Sequence, residues 1–215
     1  MTPVVGLKEL ALEVTTDPDH KFDLSLQLDD LDAAVDIART VPELEAEAKW
    51  KAIGDRALAV WRFDLARESF ERAGDLGSLM LLLLSIGDKD GLAKLAKSAE
   101  EKGQNNLAFA SLLQLGDPAA CVDLLVKTQR APEAAMFART YAPNKVPEAV
   151  QAWKGELTSK GRGKVAGGIA DPVENADLFE EGWKDAVARE QGAEKQHPPL
   201  PISGALCFSS LSLWI

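Results

Sequence analysis

The stretch KWKAIGDRALAVWRFDLARESFERAGD, residues 49–75, has the pattern of two helices joined by a short turn. Apolar side chains recur three or four positions apart on both arms, which is the spacing of an amphipathic helix. Small alanines stand beside large aromatic rings, so neighbouring helices can interlock. The stretch therefore predicts an antiparallel helix pair. Its apolar positions are Ile53, Leu58, Ala59 and Trp61 on the first arm and Leu65, Ala66, Phe70 and Ala73 on the second.

Outward from this pair, a polar turn followed by an amphipathic helix recurs along the chain. The first four copies are separated by roughly 25 to 33 residues, the range of helical-repeat proteins. One such helix pair buries its apolar face only by stacking on its neighbours. An α-solenoid is therefore favoured over a compact bundle. The copies are LDDLDAAVDIA (28–38), WRFDLARESFE (61–71), IGDKDGLAKLA (86–96), LGDPAACVDLL (115–125) and TQRAPEAAMFA (128–138), with Ile37, Phe70, Leu95, Leu124 and Phe137 near their ends.

Breaks between the helices are marked by glycine, proline and aspartate from about residue 7 to residue 158. Glycine ends a helix through its left-handed backbone, and an aspartate side chain caps the next one. No segment alternates as a strand does. We expect about ten short helices and an all-α fold, a tetratricopeptide-like α-solenoid of antiparallel helix pairs. The clearest breaks are Asp29-Asp30, Gly74-Asp75, Gly87-Asp88 and Gly116-Asp117.

Four segments divide the chain in this interpretation. The α-solenoid spans 1–158, and a Gly/Lys-rich stretch with few large apolar residues predicts a linker at 159–172. Apolar residues at helical spacing predict an amphipathic helix at 173–191. The segment 192–215 is predicted to be a disordered or atypical apolar tail, because it breaks at prolines and carries no charge after residue 197.

Composition limits the classes of partner. The net charge of -10 opposes general binding to nucleic acid or to anionic lipid. Cys121 and Cys207 stand far apart and in unlike contexts, which predicts no disulfide and favours a reducing, cytoplasmic compartment. The start of the chain lacks a secretory-signal pattern. The longest apolar run, Leu79 to Leu84, is too short to span a bilayer and predicts a buried helix.

Candidate chemical groups do not converge on a site. His20 and His197 have no ligand-spaced neighbour, and Cys121 lies among apolar residues on a predicted helix without a base. The acid pairs Asp29-Asp30 and Glu180-Glu181 suit caps and solvated faces, and KGRGKVAGG lacks the frame of a phosphate loop. We therefore predict no catalytic, cofactor-binding or metal-binding residue, no cofactor, no small-molecule ligand and no enzyme activity.

The tryptophans have two interpretations. Trp50, Trp61, Trp153 and Trp183 could anchor a protein contact, since tryptophan is enriched in interface hot spots. For Trp50 and Trp61, packing between helices is the favoured interpretation.

Particular phrases resemble a known family. VTTDPDHKFDLSLQL, EAKWKAIGDRAL, FDLARESFERAGD and ADPVENADLFEEGW, together with the block from Asn105 to Pro143, are similar to the helical solenoid of the coatomer beta-prime subunits of the COPI coat. The resemblance runs from about Val14 to Trp183. It implies a structural coat segment that contacts the alpha coatomer subunit and other coatomer subunits. It also implies peripheral association with the Golgi membrane and COPI vesicles through the coat.

Departures from the family limit what can be carried over. That family has paired WD-repeat propellers ahead of the solenoid, and they read dilysine cargo signals; nothing propeller-like occurs in this sequence, so it resembles a partial subunit and no cargo-binding residue is assigned. HPPLPISGALCFSSLSLWI replaces the acidic, polar tail that the family implies, and an alternative exon or a gene-model error is the favoured explanation. The alternative function is a free-standing tetratricopeptide-like adaptor that binds peptide segments of partner proteins.

Overall fold

The computed structural model describes residues 3–179 and 182–196. Within these residues the chain forms α-helices and two short 3₁₀ turns, with no strand, which confirms the predicted all-α fold. Eleven α-helices lie between residues 3 and 159, close to the expected number. Glu180-Glu181, His197, Cys207 and the rest of 197–215 lie outside the described residues, so nothing tests the predictions that fall there.

The chain divides into two compact units, Met1–Gly87 and Asp88–Ile215. The helices of the first unit are α1 Pro3–Val14, α2 Pro18–Gln27, α3 Leu31–Thr40, α4 Glu43–Ala59, α5 Phe63–Ala73 and α6 Leu76–Ile86. Those of the second are α7 Lys89–Glu101, α8 Asn105–Leu115, α9 Pro118–Lys127, α10 Ala131–Tyr141, α11 Val146–Ser159, α12 Gly163–Ala166 and α13 Trp183–Gln196, with 3₁₀ turns at Pro143–Lys145 and Ala176–Leu178.

Most helices pack mainly on their neighbours in sequence, whereas α13 packs on the 3₁₀ turn Pro143–Lys145. In the first unit α2, α3, α4, α5 and α6 pack in succession, and in the second α7, α8, α9, α10 and α11 do the same. This nearest-neighbour packing is the mark of a helical repeat. The five recurring phrases of the sequence become α3, α5, α7, α9 and α10 with the turns that precede them.

Many of the helices end with the same backbone feature, a residue in the left-handed region. Within the described residues, eight helices are followed by a residue with positive φ, and five of these residues are glycines. At most of these ends the next N–H donates to the carbonyl five residues back, as Arg62 N–H does to Ala57 O at 2.9 Å, which is a Schellman closure. The three positions that are not glycine are Asp29, Trp61 and Gln129.

Aspartate caps then start the next helices, as predicted. The carboxylates of Asp30, Asp75, Asp88 and Asp117 each accept a backbone N–H three residues later, at 2.8 to 3.1 Å. Partial burial of Asp75 raises its pKa, but hydrogen bonds from the Lys51 ammonium and from Ser78 outweigh that effect and hold the pKa below its usual value. Aspartate capping therefore marks where five of the described α-helices begin, that of α2 at Asp17 included.

Phe70 lies at the centre of the packing between α4 and α5. Its side chain is fully buried, as predicted, and its ring presses on Gly54, where an added Cβ would lie 2.6 Å from the ring. Trp50 is also buried, with the Arg72 guanidinium 4.7 Å above its ring. These contacts explain why α4 carries a glycine in its middle, where glycine lowers helix stability.

Two predictions about the 49–75 pair are wrong. Trp61 is 78 % exposed instead of packed between helices, because α4 ends at Ala59 and the indole lies in the turn beyond it. Ala59 is also exposed, and Ala57 takes its place in the core. The helical register continues through LAVW in the sequence, so periodicity alone extends the buried face too far.

Other apolar positions differ in degree from the prediction. Phe137 is half-buried instead of fully enclosed, and Leu81 is 62 % exposed within the apolar run that predicted a buried helix. Leu79, Leu82 and Leu83 of that run are buried, since they share one face of α6. No helix within the described residues has the length and apolarity required to cross a bilayer.

The stretch predicted as a linker is packed against α11. It contains α12, and the buried carboxylate of Asp171 accepts hydrogen bonds from Gln151 Nε2 at 2.9 Å and from the Val173 N–H at 2.8 Å. These hydrogen bonds, with the buried Ala166 and with Ile169 packed against the core of the second unit, anchor a stretch that has few large apolar residues. The helix predicted from residue 173 begins at Trp183, after a 3₁₀ turn.

Candidate protein-contact surfaces

Groups able to hold a metal ion are not brought together in the described part of the chain. No cluster of three His, Cys, Asp or Glu side chains with metal-binding potential occurs there. His20 is exposed in the first turn of α2, and Asp29 and Asp30 lie in the turn before α3, where Asp29 pairs with Arg56 and Asp30 caps the helix.

Cys121 is enclosed in the core of the second unit. Its thiol is fully buried and lies 3.7 Å from the Phe109 carbonyl oxygen, to which it donates. Burial, with the nearby Asp117 carboxylate, raises the pKa of the thiol to about 11. Because the thiolate is the nucleophile, this environment disfavours reactivity at neutral pH.

Alkylation of Cys121 is therefore expected to be slow in the folded protein. In a Cys207→Ser variant at pH 8, iodoacetamide should modify the native thiol roughly 100-fold more slowly than the urea-unfolded thiol. The reason is that a thiol pKa of about 11 instead of 9.0 lowers the thiolate fraction by about that factor. Mass spectrometry of timed aliquots measures both rates. Equal rates would show that the thiol is accessible and ionised as in the unfolded chain.

Ion pairs connect adjacent helix pairs along the surface of the first unit. The Arg56 guanidinium binds both carboxylate oxygens of Asp29, with Nη2 2.8 Å from Oδ2, and Arg62 Nη2 lies 3.1 Å from Asp32 Oδ1. Each of these side chains is at least 41 % exposed, so each pair adds little stability. Their effect is to hold the α2–α3 turn beside the α4–α5 turn.

An aromatic row lies between α8 and α10 in the second unit. The Phe109 and Phe137 rings meet edge to face with centroids 5.2 Å apart, and the Phe137 and Tyr141 centroids are 4.7 Å apart. Beside them is a hollow of about 290 Å³, which we call the α8–α10 hollow. Its lining residues are Asn106, Phe109, Leu125, Arg130, Glu133 and Phe137.

One end of the α8–α10 hollow is polar. Arg130 Nη1 donates to Asn106 Oδ1 at 3.1 Å, and the same guanidinium pairs with Glu133. Its charge is therefore already compensated, and the aromatic rings provide the free contact area. Tyr141, at the end of the row, is 59 % exposed. Such a surface suits an apolar side chain of another protein.

A second aromatic surface lies in the first unit. Trp61 and Phe63 meet edge to face in the α4–α5 turn, with ring centroids 5.8 Å apart. Trp61 is 78 % exposed and Phe63 38 %. Among the other tryptophans, Trp153 and Trp183 are half-buried and pack against the core of the second unit.

The α8–α10 hollow was not anticipated from the sequence. Phe137 and Tyr141 are four positions apart, which signals a shared helix face, but Phe109 lies on another helix. No local pattern shows that α8 and α10 are neighbours. The exposed Trp61 corresponds to the contact-anchor interpretation, which was the less favoured one.

Comparisons with known proteins identify the family. The model of the COPA/B TPR domain matches residues 4–154. The chain is 45% identical over 202 residues to coatomer subunit beta'-1 of Arabidopsis thaliana, covering 94% of this chain and 21% of the relative. It is 42% identical over 195 residues to coatomer subunit beta' of Homo sapiens, covering 91% of this chain and 21% of the relative.

The match confirms the resemblance that the sequence phrases indicated, and it concerns a limited part of the relatives. The chain spans about a fifth of the length of the coatomer beta' subunits it matches. Domains of this kind are structural and non-enzymatic. With its paired helices and tetratricopeptide-type packing, this chain belongs to the COPA/B TPR domain family.

Proposed function

We propose that this chain is a structural segment of the COPI coat that supports Golgi-to-ER retrograde and intra-Golgi vesicle transport. It binds the alpha coatomer subunit, and through it other coatomer subunits, by contacts between helices. It works in the cytoplasm, peripherally on the Golgi membrane and on COPI vesicles. The observation that carries the proposal is the family match over residues 4–154 together with 42 to 45% identity to coatomer beta' subunits.

The physical character of the described residues supports a contact role. Their helices offer exposed apolar and aromatic side chains, such as Tyr141 and Leu113, on packed supports. Many of their carboxylates lie at helix caps and in surface ion pairs. A folded surface of this kind recognises a partner by shape complementarity and buried area rather than by a catalytic or ligand-binding group.

The protein is therefore expected to bind the helical solenoid of the alpha coatomer subunit. Mixed at micromolar concentrations, the two proteins should elute together in size-exclusion chromatography with light scattering, because subunits of a coat need stable contacts. A tetratricopeptide protein of similar size and charge serves as the control for non-specific association. Separate elution at every concentration would contradict the proposed coat role.

The same protein is expected to bind no dilysine cargo-tail peptide at micromolar concentration. A doubly cationic tail needs carboxylates arranged in a shaped pocket, whereas many of the acids described here occupy caps and solvated ion pairs, and the buried Asp171 carboxylate is already bound by Gln151 and the backbone. Calorimetry at physiological salt, with a peptide whose lysines are replaced by alanine as the control, measures this. Micromolar binding that depends on the lysines would overturn the scaffold-only role.

A second candidate function is the free-standing peptide adaptor. The observation that favours it is the α8–α10 hollow, where Phe109 and Phe137 form apolar walls beside Arg130. An adaptor would bind short apolar peptides there without the alpha subunit. If such peptides bound in the hollow and the chain formed no complex with the alpha solenoid, the adaptor function would be favoured over the coat segment.

A further inference from the structure

Trp61 occupies a backbone position that suits glycine. It follows the end of α4 with φ +63°, and glycine takes the equivalent position after five of the eight helices that end this way in the described residues. A side chain in the left-handed region is disfavoured, most of all a bulky one. Asp29, at the equivalent position after α2, is held there by Arg56.

Burial does not compensate for this conformation. The indole is 78 % exposed, and its ring contact is the edge of Phe63, which is itself 38 % exposed. The turn closes through backbone bonds, from Trp61 N–H to Leu58 O at 3.1 Å and from Arg62 N–H to Ala57 O at 2.9 Å. Glycine would make both bonds equally well. The side chain of Trp61 thus adds little to folding, and a disfavoured residue kept on the surface is a sign of function.

Charged side chains adjoin the aromatic pair in sequence, and most of them are ion-paired. Arg62, next to Trp61, binds Asp32 at 3.1 Å, and Arg56 in the last turn of α4 binds Asp29. Both guanidinium groups are therefore neutralised. Asp64 follows Phe63 in the first turn of α5, and no ion pair compensates it among the described residues. The Trp61–Phe63 surface is therefore apolar, and its negative margin is the single carboxylate of Asp64, since Asp29 and Asp32 are neutralised by their arginines.

We propose that the Trp61–Phe63 surface docks an arginine-bearing segment of another protein. A guanidinium stacks well on an indole face, and its fork can bind a neighbouring carboxylate at the same time. An acidic segment would be repelled by the margin, and a purely apolar one would gain nothing from it. The more strongly hydrated lysine ammonium stacks less well than arginine. This inference does not depend on the coat function.

The test uses the full chain labelled with 5-fluorotryptophan and observed by ¹⁹F NMR, with the Trp61 resonance assigned from Trp61→Gly. The probe is a nine-residue alanine peptide with arginine at its third and seventh positions. Matched peptides carry lysine, or citrulline, which keeps the shape of arginine without its charge. We expect a saturable shift of the Trp61 resonance that is at least tenfold weaker with citrulline.

Variants separate docking from folding. Trp61→Gly should abolish binding and raise the Tm, since glycine adopts the left-handed backbone without strain. Asp64→Asn should weaken binding severalfold, and Leu81→Ala, which removes an exposed apolar side chain on α6, should leave it unchanged. No shift at Trp61, equal binding of the citrulline or lysine peptide, or a lower Tm for Trp61→Gly would overturn the proposal.

Discussion

Replacing Phe70 with alanine is expected to lower the free energy of unfolding by about 3 to 5 kcal/mol, the range for removing a fully buried phenylalanine ring. Phe70 has no exposed surface and its ring fills the space between α4 and α5, so its removal leaves a cavity that closes only if these helices move closer together. Urea unfolding followed by circular dichroism measures the loss.

A matched control lies on the same helix. Phe63, at the start of α5, is 38 % exposed, and its replacement by alanine should cost about 1 kcal/mol or less. Equal losses for the two variants would contradict the packing described for Phe70.

Replacing Gly54 with alanine is expected to destabilise the protein by about 1 to 3 kcal/mol through overpacking. Alanine normally stabilises the middle of a helix relative to glycine, so the expected sign is opposite to that of helix propensity. The added Cβ would lie 2.6 and 2.8 Å from two ring atoms of Phe70, and the fully buried ring has no space into which it can move. The same unfolding experiment measures this change.

Two further variants test the cause. Gly155 lies within α11 with nothing within 4 Å of an added Cβ, so Gly155→Ala should stabilise the protein by about 0.5 to 1 kcal/mol. In the second, Phe70→Leu shortens the side chain, and the loss caused by Gly54→Ala should become smaller in that background. A loss that is the same in both backgrounds would show that the ring is not what opposes the Cβ.

Local signals predicted the helices because short-range interactions determine them. The Gly-Asp pairs after α5 and α8 mark a left-handed stop and the cap of the next helix within two residues. At Trp61 the same kind of signal led to a wrong prediction of burial. The residue with positive φ there is not a glycine, and the apolar pattern continues beyond the end of α4. Composition also carries no sign of the hydrogen bond between Gln151 and the buried Asp171, which are 20 residues apart in sequence.

The sequence by itself determined the all-α class, the positions of most helices and caps, the burial of Phe70 and the likeness to the coatomer beta' subunits, because periodicity, capping and characteristic phrases are local. Only the tertiary structure decided that Gly54 faces Phe70, that Phe109 and Phe137 line one hollow and that the chain divides at Gly87. Those features depend on which helix faces meet across turns, and a contact between residues distant in the chain leaves no periodic trace in either partner.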